Sequence, residues 1–337
     1  MKRSLETSRS GDLCVKIWYD ACTGKHVRYG SAIAKRFRDE GHEVVFTTRK
    51  HPDTVALAHA LGEDPIVVGE YDPTSLNSRL EESANRIIQF SRMFKANPPD
   101  LAIAHQSVEL CRTAFGLGIP IILTADTPHA YAVNRLTLPF ADAVVVSEAL
   151  PNSFLRNYCA KSVVRFRGVD EVAWIKGLKR PSGHKYGRPL IVVRELETKA
   201  AYAIGAENPT SKIAKALETY GHVLVLNRYS RSAEFVDSAL IAGEADLVVS
   251  AGGTLAREAA LQGVPSIVVS DVGRTYVNSY LAQKGFPILI SSPSRVKQLA
   301  RKYMTKRVDV TAKLEEFDNP IDAIEKLALQ AIGHLRA

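Results

Sequence analysis

Residues 246 to 269 read D-L-V-V-S-A-G-G-T-L-A-R-E-A-A-L-Q-G-V-P-S-I-V-V, and their alternation decides the fold. Leu247, Val248 and Val249 form a short apolar run that suits a buried strand. The run stops at Ser250-Ala251-Gly252-Gly253-Thr254, where two adjacent glycines allow a sharp turn and close approach to a ligand. Thr254 is read as the cap of a helix reaching about Gln262, and Ser266 to Val269 is the next strand. A helix that begins at the carboxyl end of a strand offers unpaired backbone N–H groups and a positive dipole end, which suit a diphosphate. Glu258 lies one turn further on and could accept hydrogen bonds from a ribose diol.

The same alternation extends outward in both directions. Val15 to Trp18 reads as a strand, Asp20 to His26 as a small polar loop, Tyr29 to Arg38 as a helix and Glu43 to Phe46 as a second strand. Further strands are predicted at Ile66 to Val68, Leu101 to Ala104, Pro120 to Leu123 and Ala143 to Val146. Polar clusters follow them, notably His105-Gln106-Ser107 and Asp126-Thr127-Pro128-His129. Ligands of open α/β sheets bind at strand carboxyl ends, so such clusters converge on one edge. A second series starts at Pro189 to Arg194 and continues through His222 to Arg228. Arg194 and Arg228 end two of its strands and could flank a diphosphate with forked hydrogen bonds. The expected division is a disordered lead-in over 1–13, a Rossmann-like acceptor-side domain over 14–155 and a basic linker over 156–188. A Rossmann-like nucleotide-sugar domain follows over 189–318, then a helix over 319–337 that packs back toward the linker.

Composition removes several classes. The chain has 337 residues, 46% of them hydrophobic and 24% charged, as in a soluble globular protein of two domains. No apolar run approaches the roughly 18 residues of a membrane span. The four cysteines contain no CxxC pair, so neither a zinc site nor a disulfide framework is implied, and a reducing cytoplasm is expected. Neither G-x-G-x-x-G nor the phosphate-loop motif occurs, and the absence of D-x-D argues against a metal. The net charge of +8 falls after residue 150, partly on Arg295 to Arg307, an amphipathic helix with a basic face. Such a face suits a lipid-linked or membrane-surface acceptor, with peripheral attachment at the inner face of the membrane. There is no recognised nucleic-acid motif.

Two consecutive doubly wound domains with S-A-G-G-T-L-A-R-E-A-A-L-Q-G-V-P in the second resemble the GT-B architecture of nucleotide-sugar enzymes. That superfamily includes the peptidoglycan N-acetylglucosaminyltransferase and the UDP-N-acetylglucosamine 2-epimerases. The resemblance implies an α/β fold of two Rossmann-like domains facing across a cleft. It also implies a diphosphate held by Ser250, Gly252, Gly253 and Thr254, with ribose on Glu258. The chain is further similar, from about Val15 to Gly285, to an archaeal domain family of unknown function, family 354. The similarity is carried by K-I-W-Y-D, G-H-E-V-V-F-T-T-R, A-F-G-L-G-I-P, D-T-P-H-A-Y-A-V-N-R-L-T, G-V-D-E-V-A-W and A-G-G-T-L-A-R-E-A-A-L.

The expected function is therefore glycosyl transfer from a nucleotide sugar, with a UDP-sugar as donor and no other cofactor. Transfer with inversion needs a base for the acceptor hydroxyl, and the candidates are His129 and Asp126, then Glu109 and His26, with His129 leading. Thr23, Lys25, His26, Asn134 and Arg135 are the expected acceptor contacts. Two alternatives remain: a UDP-sugar 2-epimerase using Asp20, Glu109 and Asp126, and a non-catalytic binder of nucleotide sugars or nucleic acid.

Overall fold

The computed structural model describes residues 14–51, 54–179, 185–195, 209–227, 236–269 and 275–334. The chain forms two compact units, Met1–Phe166 with Asn319–Ala337, and Arg167–Asp318. The lead-in over 1–13 and Arg228 lie outside the described residues.

The first unit runs β1 (Lys16–Ala21), α1 (Gly24–Asp39), β2 (Glu43–Lys50), α2 (Val55–Ala60), β3 (Ile66–Glu70), α3 (Leu76–Met93) and β4 (Leu101–His105). It continues through α4 (Val108–Leu117), β5 (Ile121–Ala125), α5 (Tyr131–Thr137), β6 (Ala143–Ser147), α6 (Asn152–Arg156) and β7 (Val163–Phe166). The strands form one parallel sheet in the order β3-β2-β1-β4-β5-β6-β7. Chain direction across the sheet reverses between β1 and β4, so this is a doubly wound sheet with its switch point there. Helices cover both faces, which is why Ile17, Trp18 and Tyr19 are all fully buried despite being consecutive. The Trp18 indole N–H is satisfied by Thr47 Oγ1 at 2.9 Å.

The stretch expected to be a linker is structured in both units. β7 pairs with β6 as the edge strand of the first sheet, and a short helix, α7 (Val172–Ile175), opens the second unit. Basic composition misled here because β7 is an edge strand whose Val163 stays exposed, so it needs no continuous apolar run.

The second unit continues with β8 (Leu190–Arg194), α8 (Thr210–Leu217), β9 (His222–Leu226), α9 (Ser238–Glu244), β10 (Leu247–Ser250) and α10 (Gly253–Leu261). Then come β11 (Ser266–Val268), α11 (Tyr276–Gln283), β12 (Ile288–Ile290), α12 (Val296–Tyr303) and α13 (Thr311–Glu315). The order β12-β11-β10-β8-β9 is again parallel, with the switch point between β8 and β10. Successive side chains enter opposite cores: Ile191, Val193 and Val249 pack on one face, and Leu190, Val192 and Val248 on the other. Val296 and Ala300 anchor α12 in the first of these cores, leaving Arg295, Lys297, Arg301 and Lys302 exposed.

The last helix, α14 (Pro320–His334), belongs to the first unit, where it packs on β4 to β7 and on α1. Its Ile321, Ile324, Ala328 and Ile332 are buried, the three-and-four spacing of one helical face. No helix among the described residues is long and apolar enough to cross a membrane.

Candidate functional site

The first unit gathers its buried charge at the β1/β4 switch point. Asp20, the last residue but one of β1, has zero exposure and accepts from Thr47 Oγ1 at 2.8 Å, Ser107 Oγ at 2.5 Å and Arg86 Nη2 at 2.7 Å. Arg86 comes from α3, is 1% exposed, and places its other terminal nitrogen 3.0 Å from Glu109 Oε2. Its Nε donates to the Val68 carbonyl at 2.9 Å. One guanidinium thus bridges two carboxylates delivered by β1 and α4. A buried pair is tolerated only when every charge is held in this way. Ser107 caps α4 by accepting from the Leu110 N–H, and its hydroxyl also lies 3.5 Å from Glu109 Oε2. Glu109 Oε1 makes no hydrogen bond among the described residues.

Cys22 sits within the same cluster, 3.6 Å from both Asp20 and Ser107. Burial, and then the Asp20 charge, push its thiol up to about 11, so it is neither thiolate nor nucleophile at neutral pH. Ligand atoms of Asp20, Cys22 and Glu109 lie within 4.8 Å of one another, a spacing a cation could use. The guanidinium of Arg86 already bonds both carboxylates of that trio.

A second cluster adjoins it at the ends of β4 and β5. Asp126 accepts from Lys25 Nζ at 2.5 Å and Thr127 Oγ1 at 2.7 Å, and lies 3.3 Å from His105 Nε2. His105 Nδ1 is 2.7 Å from Thr124 Oγ1, so both ring nitrogens are engaged. The His26 ring stands edge-on to His105 at 4.9 Å, and its Nδ1 accepts the Cys22 backbone N–H at 3.3 Å. Desolvation, followed by His105, Lys25 and Arg49, holds the His26 pKa well below the ordinary histidine value against the pull of Asp126. Between the clusters, Gln106 takes a left-handed backbone with φ of 52°. Its amide donates to Asn134 Oδ1 at 2.6 Å.

The expected residues of this unit are redistributed by these contacts. Glu109, Asp126, Lys25 and His26 do come to one edge. Thr23 is there as the cap of α1. Asn134 is fully buried and latches the turn instead: it accepts from Gln106 and donates to the carbonyls of Thr127 and Pro128. Arg135 is exposed on α5, and His129 is half-buried in the turn after Asp126. Sequence reading gives Arg86 no place, and His105 one only within the polar cluster after β4. Arg86 stands four residues before buried Phe90 on the inner face of α3, and a charge on an apolar stripe was its only sign.

In the second unit the small-residue turn joins β10 to α10 next to the β8/β10 switch point, where Arg194 ends β8 half-buried. Gly252, not Thr254, is the N-cap, with an ordinary extended backbone, φ −98°. Ser250 closes its own turn by accepting the Gly252 N–H at 3.1 Å. Gly253 is required by packing: a Cβ there would lie 1.9 Å from Arg257 Nη1. Arg257 is itself buried and forks onto Glu171 Oε1 at 2.8 and 2.7 Å. Glu258 is fully buried and accepts from the Trp174 indole at 2.9 Å and Ser238 Oγ at 3.1 Å.

Comparison with known proteins places this arrangement. A family model described as protein of unknown function (DUF354) matches residues 15–332. The chain belongs to that family. It is 28% identical over 331 residues to the uncharacterized protein MJ0665 of Methanocaldococcus jannaschii, covering 91% of this chain and 95% of that one. Among solved structures, a putative UDP-N-acetylglucosamine 2-epimerase from Listeria monocytogenes aligns with a TM-score of 0.67 at 12% identity, over 94% of this chain and 95% of the other. The Methanocaldococcus jannaschii UDP-GlcNAc 2-epimerase in complex with UDP-GlcNAc and UDP aligns with a TM-score of 0.66 at 12% identity, over 94% and 99%. The spinosyn forosaminyltransferase SpnP aligns with a TM-score of 0.59 at 16% identity, over 95% and 100%. At these identities the likeness concerns the fold, two Rossmann-like units of the GT-B type. The family match extends beyond Gly285 to take in α14.

Proposed function

We propose that this protein is a nucleotide-sugar-dependent glycosyltransferase of the GT-B type, with a UDP-sugar as donor. The observation that carries the reading is Glu109: a carboxylate at a switch point, pinned through one oxygen by Arg86 and Ser107, with its other oxygen unengaged among the described residues. That oxygen would take the acceptor hydroxyl proton while the acceptor oxygen attacks the anomeric carbon. The bond from that carbon to the β-phosphate oxygen breaks, and the nucleoside diphosphate leaves with the electron pair. Glu109 replaces His129 as the leading base because Arg86 and Ser107 orient it, whereas Asp126 is consumed by Lys25, Thr127 and His105. The donor diphosphate would lie against the turn from Ser250 to Thr254, near Arg194. Ribose would reach Glu258 only by displacing Ser238, so we assign the ribose to the turn rather than to that carboxylate. A lipid-linked acceptor fits the exposed Arg295, Lys297, Arg301 and Lys302.

A second reading, UDP-sugar 2-epimerisation, draws support from the convergence of Asp20, Glu109 and Asp126 at one sheet edge. Asp20 and Asp126 are each held by at least three donors or cations, which disfavours them as mobile proton carriers. One experiment separates these readings. Purified protein is incubated with UDP-N-acetylglucosamine and followed by thermal shift and product analysis. UDP at about a hundred times its dissociation constant should stabilise the fold by roughly 2.7 kcal/mol. Glu109→Gln should retain that shift and lose about 10²-fold or more of turnover. Release of UDP supports transfer or its hydrolytic counterpart, and an epimerised UDP-sugar supports the second reading. Absence of any nucleotide shift would sink both.

A further inference from the structure

We infer that His26 meets the ligand of the first unit as a neutral hydrogen-bond donor, presenting Nε2–H to a lone pair of a substrate hydroxyl or carbonyl oxygen, and that it does not act as the base. This rests on the reading of the first unit as the acceptor side. The geometry fixes the proton. A backbone N–H can only donate, and the Cys22 N–H lies 3.3 Å from His26 Nδ1, so Nδ1 must carry a lone pair and the hydrogen must sit on Nε2. Protonating the ring would place a second hydrogen between two donors.

The ring is also held in place. Its residue's backbone N–H faces Thr23 Oγ1, its carbonyl accepts from Tyr19 Oη at 3.0 Å, and the imidazole edge rests against His105. Charged and titratable groups face it from every neighbouring element: Lys25 from α1, Arg49 from β2, His105 from β4 and Asp126 from the end of β5. Asp126 is the only anion among these four, and it is already committed to Lys25 and His105. The surroundings therefore oppose an imidazolium, in agreement with the lowered pKa of His26. His26 Nε2 has no partner among the described residues, and the residue is only half-buried. His105, by contrast, has both nitrogens engaged. His26 Nε2–H can donate and not accept, and Glu109 Oε1, which lies in the same unit, can accept and not donate; a substrate hydroxyl offers a lone pair to the first kind of group and a proton to the second.

The test has two arms. Long-range proton–nitrogen spectra of the His26 ring in the intact, ligand-free protein are recorded from pH 5 to 8. The expected result is a neutral ring with nitrogen shifts of the Nε2-protonated tautomer that do not move across the range. A titration midpoint within the range, or a proton on Nδ1, overturns the inference. In the second arm His26→Gln, whose amide nitrogen falls near the Nε2 position, is compared with His26→Asn, whose amide does not reach it. With UDP-N-acetylglucosamine as the probe, His26→Gln should keep kcat/KM within about tenfold of the parent and His26→Asn should lose about 10²-fold or more, the scale for removing an oriented donor. Both variants should keep the UDP thermal shift. Equal activity of the two variants overturns the donor role. If the parent protein neither binds UDP nor consumes the probe, the nucleotide-sugar reading fails and the donor role falls with it, while the ring spectra alone still decide the protonation state.

Discussion

A methyl group at Gly253 has nowhere to go. It would lie 1.9 Å from Arg257 Nη1, and the guanidinium cannot swing aside without leaving Glu171, to which it is bonded at 2.7 and 2.8 Å inside the core. Gly253→Ala is therefore expected to lower stability by about 1–3 kcal/mol, the range for overpacking, as measured by urea unfolding. An unchanged midpoint would show that Arg257 has a second place to sit. The same residue marks where sequence reading stops. The strand, turn and helix around Gly253 were legible because apolar period and glycine position are local signals. The reason for the glycine was not, since it depends on Glu171, more than 80 residues earlier in the chain. Two of the stretches that carry the family resemblance, G-V-D-E-V-A-W and A-G-G-T-L-A-R-E-A-A-L, are in fact packing partners: Glu171 holds Arg257 and Trp174 holds Glu258. Glu258 was assigned to ribose because a carboxylate one turn into such a helix is well placed for it. Its burial behind Trp174 could not be read from spacing.

Between elements, charge contacts are legible only once the fold brings the partners together. Arg36 on α1 reaches both Asp322 at 2.9 Å and Glu325 at 2.5 Å on α14. Glu40, just past α1, is crowded by the same Glu325. Desolvation and the hydrogen bond that its protonated form donates to that neighbour, opposed by Arg36, push its carboxyl up to about 7. A carboxylic acid whose folded pKa is raised contributes stability that is complete below its unfolded value, near 4.3, and is lost as pH rises through about 7. Glu40→Gln keeps the hydrogen bond without the charge. It should raise Tm over the parent at pH 8 and leave it unchanged at pH 4. The gain should be at most about 2 °C, because Glu40 is exposed and solvent screens the repulsion. A gain of equal size at both pH values would show that the carboxyl–carboxylate contact is not its source. Neither residue stands out in sequence, because α1 and α14 lie at opposite ends of the chain.

At the scale of the whole molecule, two doubly wound units were legible because the βα period repeats, and the polar clusters were correctly expected at strand carboxyl ends. The path of the chain was harder to read: the first unit is discontinuous, closed by a helix that follows the second unit in the sequence. Composition gives no hint of this, since an amphipathic helix fits any exposed sheet face. The structure makes the dependence specific. Ile321, Ile324 and Ile332 are each at most 6% exposed against the first sheet. Each contributes about 1.5–3 kcal/mol by burial, a sum comparable with the 5–15 kcal/mol stability of a typical domain. A fragment ending at Phe166 should therefore lack a cooperative unfolding transition, or show one at much lower urea, since the sheet face under α14 is then open to water. Adding residues 319–337 as a separate peptide should restore the transition in a concentration-dependent way, because the helix binds only the folded unit. A peptide with Ile324→Asp should fail to do so, since it would put a carboxylate where a fully buried apolar side chain stands. If the fragment ending at Phe166 unfolds as cooperatively as the intact chain, the sheet holds its own core, and the returning helix contributes little to the stability of the unit that carries Glu109 and His26.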